Sequence, residues 1–167
     1  MCSSDLGTRL AGEPLSYVGR AQMMKEVILR GQSPDILGHC RFHSSAWLSF
    51  PIDLEFEAKL LSTGLGYDIT ASDIRLFVER MYTLIRAFNA REGFTREHDT
   101  LPSRWFQEPI EGRSTEDVLD RDKFEQMKTE HYRLWGWDDM GVPTEATLER
   151  LGLSDEAADL KAHGICS

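Results

Sequence analysis

Ile74-Arg75-Leu76-Phe77-Val78-Glu79-Arg80-Met81-Tyr82-Thr83-Leu84-Ile85-Arg86-Ala87-Phe88 is the stretch on which the fold turns. Ile74, Phe77, Val78, Met81, Tyr82, Leu84, Ile85 and Phe88 recur at the i, i+3, i+4, i+7 spacing of an amphipathic helix. Thr70 or Ser72 can cap its first turn with a side-chain oxygen, and Gly93 can take the left-handed conformation that closes a helix. This helix is expected to be the central core element, with its apolar set turned inward.

Upstream, Val18, Met23, Met24, Val27, Ile28 and Leu29 predict a helix over Ser16–Arg30, ended by Gly31. Pro34 argues against continuing it, because proline cannot donate a backbone bond and disfavours the α region for the residue before it. Ser33–Cys40 therefore reads as a short turn. Phe42 to Phe50 suggests a short apolar helix stopped by Pro51, and Leu54 to Leu61 another with Thr63–Tyr67 as its exit. Downstream, Phe94–Thr115 has no period and holds Pro102, Pro109 and Gly112, the mark of a long ordered loop. Asp120 then caps a helix with Phe124, Met127, His131, Leu134 and Trp135 on one face. A turn through Gly141-Val142-Pro143-Thr144 leads to a helix with Leu148 and Leu151 inward, and Ser154 caps a last piece from Asp155 to about His163. No run alternates as a strand does, so the chain reads as all-α.

The 167 residues, 41% hydrophobic and 28% charged, suit one ordinary domain. A net charge of −9 argues against nucleic acid or an anionic membrane surface as partner. No apolar run approaches the ~20 residues of a membrane span. Cys2, Cys40 and Cys166 form no disulfide framework, which points to a reducing, cytoplasmic compartment. Residues 1–7 have no periodicity and are expected to be a non-native leader, leaving 8–167 as the domain, a fragment of a longer protein.

Few residues carry chemistry of their own. His39-Cys40-x-x-His43 offers three zinc ligands, but structural zinc sites want four and adjacent residues rarely reach one ion, so no self-contained zinc site is expected. There is no nucleophile elbow, phosphate loop or His-Glu-x-x-His. Glu55, Glu57, Asp138 and Asp139 read as solvated acids, and Trp105, Trp135 and Trp137 as core or rim aromatics. Arginines from Arg86 to Arg104 can bond helix-end carbonyls and nearby acids.

Three ordered motifs add to this. Arg86-x-Phe88-Asn89-x-Arg91-Glu92-Gly93 precedes Asp99-x-Leu101-Pro102-x-Arg104. Tyr132-x-x-x-Gly136-Trp137-Asp138 comes next with Gly141-x-Pro143-Thr144, then Leu148-x-x-Leu151-Gly152-Leu153. Together they resemble the C-terminal region of tungsten-dependent aldehyde ferredoxin oxidoreductases. The resemblance implies a multihelical C-terminal domain with long ordered loops. It also implies that Asp35-Ile36-Leu37-Gly38-His39-Cys40 stands where the family has Asp-x-x-Gly-Leu-Cys, with His39 replacing leucine. By that resemblance Asp35 would accept the paired donors of a pterin edge. Gly38 and the peptides around His39 would come close to the same cofactor, a tungsten (or molybdenum) bis-pterin. Cys40 would be the last thiolate of a [4Fe–4S] cluster, a group that normally takes four cysteines. The family's other three lie in a Cys-x-x-Cys-x-x-x-Cys segment that this sequence lacks.

The resemblance thus implies an enzyme that oxidises aldehydes to carboxylic acids and passes electrons to ferredoxin. This chain would complete the cofactor site but not build it: its partner is the missing N-terminal portion, it supplies no catalytic residue, and alone it is expected to be inactive. The alternative is a non-catalytic helical domain that binds a partner through exposed apolar surface.

Overall fold

A computed structural model of the chain describes residues 16–40, 53–109 and 118–166. The expectations for the leader 1–7, the helix of Phe42–Phe50 and His43 lie outside these residues. Among the described residues seven helices follow one another: α1 Arg20–Leu37, α2 Leu54–Leu65, α3 Ala71–Arg91, α4 Arg104–Gln107, α5 Arg121–Trp135, α6 Glu145–Arg150 and α7 Ser154–Ala162. Among the described residues the only β pairing is an isolated bridge between Trp137 and Pro143. No described helix is long and apolar enough to cross a membrane.

α3 is the shaft of the molecule. Thr70 opens it with a capping box: its hydroxyl accepts from Asp73 N–H, and the Asp73 carboxylate accepts from Thr70 N–H at 2.8 Å. α1 and α2 pack on α3, α1 packs on α5, and α7 packs on both α3 and α6. Two apolar cores result. Ile74 and Val78 from the first half of α3 join Leu29, Leu54, Ala58, Tyr132, Trp135 and Trp137. Ala87 and Ala90 from the second half join Val142, Leu148, Leu151, Leu153, Ala157 and Leu160.

The expectation that all of α3's apolar residues point inward is corrected. Phe77, Leu84, Ile85 and Phe88 are 38–54% exposed. The apolar arc of α3 is wider than its neighbours cover, and an exposed apolar stripe of this kind marks a surface that another body can bury.

The helix ahead of it also differs from the sequence reading. α1 does not stop at Gly31 but runs through Gly31 and Pro34 to Leu37. Proline deprives the Arg30 carbonyl of its i→i−4 donor, and the Ser33 hydroxyl supplies the substitute, 3.0 Å from that oxygen. Burial of Leu29, Ser33 and Pro34 offsets the remaining cost of a glycine and a proline inside the helix. The helix ends at Gly38, at φ 74°, and the Gly38 and His39 amides both donate to the Pro34 carbonyl.

Other expectations need only adjustment at the ends. Asp120 caps α5 as its position predicts, and Thr144 caps α6, each accepting from a backbone N–H three residues on. Ser154 is not a cap but the first residue of α7, whose entry is set by Leu153 seated in the second core. Phe94–Pro109 holds short turns and the single-turn α4.

At Gly136 the chain leaves α5 with φ 73°, and a Cβ there would sit 2.3 Å from Thr147 Oγ1. The Gly136 carbonyl accepts from the hydroxyls of Thr144 and Thr147 at 2.9 and 2.7 Å, tying the end of α5 to the start of α6. Gly136→Ala is expected to lose about 1–3 kcal/mol from backbone strain alone, with the steric clash added to it. A fall in the urea midpoint at unchanged m-value measures this loss.

Candidate functional site

The last turn of α1 carries the residues singled out in the sequence. Asp35 is exposed on it, and Cys40 is exposed just beyond Gly38. No described residue lies within 4 Å of where a Gly38 Cβ would be. Helix and αL exit together present a carboxylate and a thiol on the outside of the molecule.

His39 faces the other way. Its Nε2 lies 3.2 Å from Oε1 of Glu57 on α2. Glu57 is only 3% exposed, which corrects the reading of this acid as solvated. The reason was visible: Leu54, Ala58 and Leu61 lie inward on α2, and position 57 falls on the same helical stripe. Ser33 Oγ approaches the same Oε1 at 3.1 Å, while Oε2 has no hydrogen-bond partner. Burial raises the Glu57 pKa above the ordinary value, against the lowering effect of Ser33 and His39. Ser33 has one hydroxyl proton for two nearby acceptors, Arg30 O and Glu57 Oε1.

The donor set at this exit suits part of a larger cofactor site. The carboxylate and the thiol are exposed, and among the described residues no second thiol stands near. Cys166 lies at the far end of the chain, its Sγ 3.5 Å from the Pro143 carbonyl. Among the described residues no group of three or more His, Cys, Asp or Glu side chains could hold a metal ion.

A second feature is the knot formed by the first two of the ordered motifs. Arg86, 8% exposed, donates through Nε to the Gly141 carbonyl at 2.6 Å. Its Nη1 and Nη2 meet Asp99 at 3.0 and 2.6 Å, and its guanidinium stacks 5.5 Å from the rings of Tyr132 and Trp137. The Tyr132 hydroxyl donates to Asp99, and Lys128 donates to the backbone carbonyls of Arg96 and Asp99. Burial disfavours the Asp99 carboxylate, but the Arg86 and Tyr132 hydrogen bonds and the charges of Arg86 and Lys128 outweigh it, leaving its pKa below the ordinary value. Burial and the Asp99 charge push the Tyr132 phenol well up. Asp138 does no more than fasten its own turn, accepting from Met140 and Val142 N–H at 2.9 and 2.8 Å. Arg104 is an exposed partner of Glu108. The residues that make the sequence recognisable are structural fasteners. The identity of Arg86's distant partners could not be read from spacing along the chain.

Beside this knot opens a cavity of about 1160 Å³, with Met23, Met24, Ile85, Trp105, Phe124 and Met127 on its apolar walls. Asp99, His131 and Tyr132 line its polar side, where burial lowers the His131 pKa. The loop after Gly93 walls it through His98, Asp99 and Thr100. The cavity meets the first turns of α1, whereas Asp35–Cys40 lies at the other end of that helix, roughly 20 Å away at 1.5 Å rise per residue.

The described residues form an all-α domain in which the first two motifs meet at Arg86 and the third, Leu148–Leu153, lies in the second apolar core. The chain belongs to the aldehyde ferredoxin oxidoreductase family, matching the model for domains 2 and 3 of that family over residues 1–153. It is similar to the tungsten-containing aldehyde ferredoxin oxidoreductases of Pyrococcus furiosus and Pyrococcus horikoshii. Each is 30% identical over 123 residues, covering 72% of this chain and 19% of the relative. The Thermococcus kodakarensis protein of the same name is 28% identical over the same share. The chain thus spans about a fifth of the length of the curated relatives it matches. Among solved structures it is similar to the active-site complex BamBC of benzoyl coenzyme A reductase in complex with 1,5-dienoyl-CoA. The TM-score is 0.71 and the identity 26%, with 88% of this chain and 22% of that one covered.

Proposed function

We propose that this chain is the C-terminal helical part of an enzyme that oxidises aldehydes to carboxylic acids with ferredoxin as electron acceptor. The observation that carries the reading is the exit of α1, where Asp35 and Cys40 face outward on either side of Gly38. The groups that would bind there are a tungsten (or molybdenum) bis-pterin and a [4Fe–4S] cluster. When bound, they supply a two-electron oxidation, aldehyde plus water giving acid, two protons and two electrons, and one-at-a-time release of those electrons.

The chain's own part is to hold and to enclose. The Asp35 carboxylate accepts two parallel donors of a pterin edge. The backbone at Gly38 and His39 comes close enough to complete that contact, because no Cβ stands at Gly38. Cys40 gives one thiolate to the cluster. The exposed Phe77, Leu84 and Phe88 stripe on α3 is covered by the missing N-terminal portion of the same enzyme. The protein works in a reducing, cytoplasmic setting, with residues 1–7 a non-native leader.

Two tests apply. Extending the reading frame upstream in the source DNA is expected to reveal Cys-x-x-Cys-x-x-x-Cys; a start codon with its own ribosome site near Met1 would sink the reading. Expressed by itself, the 167-residue chain is expected to hold neither iron nor tungsten in stoichiometric amount. In the longer enzyme, Cys40→Ser is expected to lose most of the roughly four irons of the cluster. Metal analysis of the purified proteins checks both.

The exposed α3 stripe also favours a second reading, a non-catalytic domain that docks a partner protein through it. The upstream frame separates the two. Turnover of aldehydes against an aryl coenzyme A thioester by the longer enzyme decides whether the likeness to benzoyl coenzyme A reductase extends to substrate.

A further inference from the structure

We infer that Glu57 is the positioning residue of the Asp35–Cys40 segment, gripping it from α2 on both sides. The inference rests on reading that segment as a cofactor half-site. Ser33 stands immediately before Pro34 and His39 immediately after Gly38, and both meet the same Glu57 oxygen, at 3.1 and 3.2 Å. Everything between them, Asp35 included, is bracketed by one carboxylate.

The segment needs such a bracket. Pro34 removes a helical donor from the turn that carries Asp35, and the Pro34 carbonyl alone receives the amides of Gly38 and His39. Asp35 and Cys40 themselves are exposed. A carboxylate on a neighbouring helix that is 3% exposed is by contrast a fixed point, since burial leaves it few places to go. His39 also gains a reason. The family motif that this segment resembles has leucine there, and a leucine could give Glu57 no hydrogen bond. The histidine at 39 and the buried acid at 57 therefore belong together, and the imidazole serves the scaffold rather than the cofactor.

Amide hydrogen exchange on the 167-residue chain tests the grip without any cofactor. Glu57→Leu is expected to speed exchange of the His39 and Cys40 amides about tenfold relative to amides in the middle of α5. Glu57→Gln, which can still pair with Ser33 and His39, is expected to keep them near the original rate. His39→Leu is expected to give a smaller local acceleration, and it keeps the test open if the Glu57→Leu chain does not fold. Uniform acceleration across all helices, or none at 38–40, would overturn the inference.

The link to the half-site is read in the longer enzyme from the midpoint potential of its iron–sulfur centre. The potential is expected to shift in Glu57→Leu and to be restored in Glu57→Gln; an unchanged potential in Glu57→Leu overturns the positioning role. If no cluster assembles on Cys40 at all, the proposed function fails, while the exchange result still reports on the grip.

Discussion

Replacing Arg86 by methionine is expected to cost about 3–5 kcal/mol, because it leaves a desolvated site without its charge. The guanidinium ties the first two motifs together, reaching Asp99 of the loop, Tyr132 at the end of α5 and Gly141 in the following turn. Methionine keeps the stem's volume and removes only the charged head, so the loss reports the polar knot rather than a cavity. Asp99 retains some solvent access, which places the loss toward the lower end. Urea denaturation measures it.

The acid limb gives a second readout with a defined sign. The Asp99 pKa lies below its unfolded value, so its ionised form contributes stability above that value, about 4. That contribution disappears as pH falls through the folded pKa. The variant has lost a main cause of the lowering, so the stability gap between the two proteins is expected to narrow as pH falls below about 4. Tyr132→Phe, which removes a single hydrogen bond to Asp99, is expected to move both readouts in the same direction by less.

Trp135→Ala is expected to be equally damaging, at about 3–5 kcal/mol. Trp135 is fully buried, with its ring 4.5 Å from that of Tyr82 and 6.0 Å from that of Trp137, and Lys25 stands 4.8 Å above it. Alanine would open a cavity where α1, α3 and α5 meet. Phenylalanine should cost less, since it keeps a ring and dispenses with an indole N–H that has no hydrogen-bond partner. Thermal unfolding followed by circular dichroism ranks the two variants.

The helical class, the long α3 and the caps at Thr70 and Asp120 were legible because each rests on local physics: period, side-chain capping and glycine conformation. The path of α1 was not. Gly31 and Pro34 are breakers by any local rule, and what overrides them is the Ser33 hydroxyl, with burial against helices that arrive much later in the chain. Glu57 was readable in principle, since its place on the Leu54–Ala58–Leu61 stripe predicts burial, but a charged residue on such a stripe is ordinarily assigned to its edge. Arg86 was read correctly as a partner of acids and carbonyls; the partners themselves depend on tertiary closure. The proposed half-site of Asp35, Gly38 and Cys40 rests on resemblance, and local chemistry alone left these residues an ordinary turn. The inward turn of His39 had no signal short of the structure.

The division of α3 between two cores has a consequence for the order in which the protein is made. Leu29 and Leu54 leave the ribosome long before Tyr132, Trp135 and Trp137, the residues that close the first core over them. Until those aromatics emerge, the described part of the first core holds only residues of α1, α2 and α3, so that core closes late in translation.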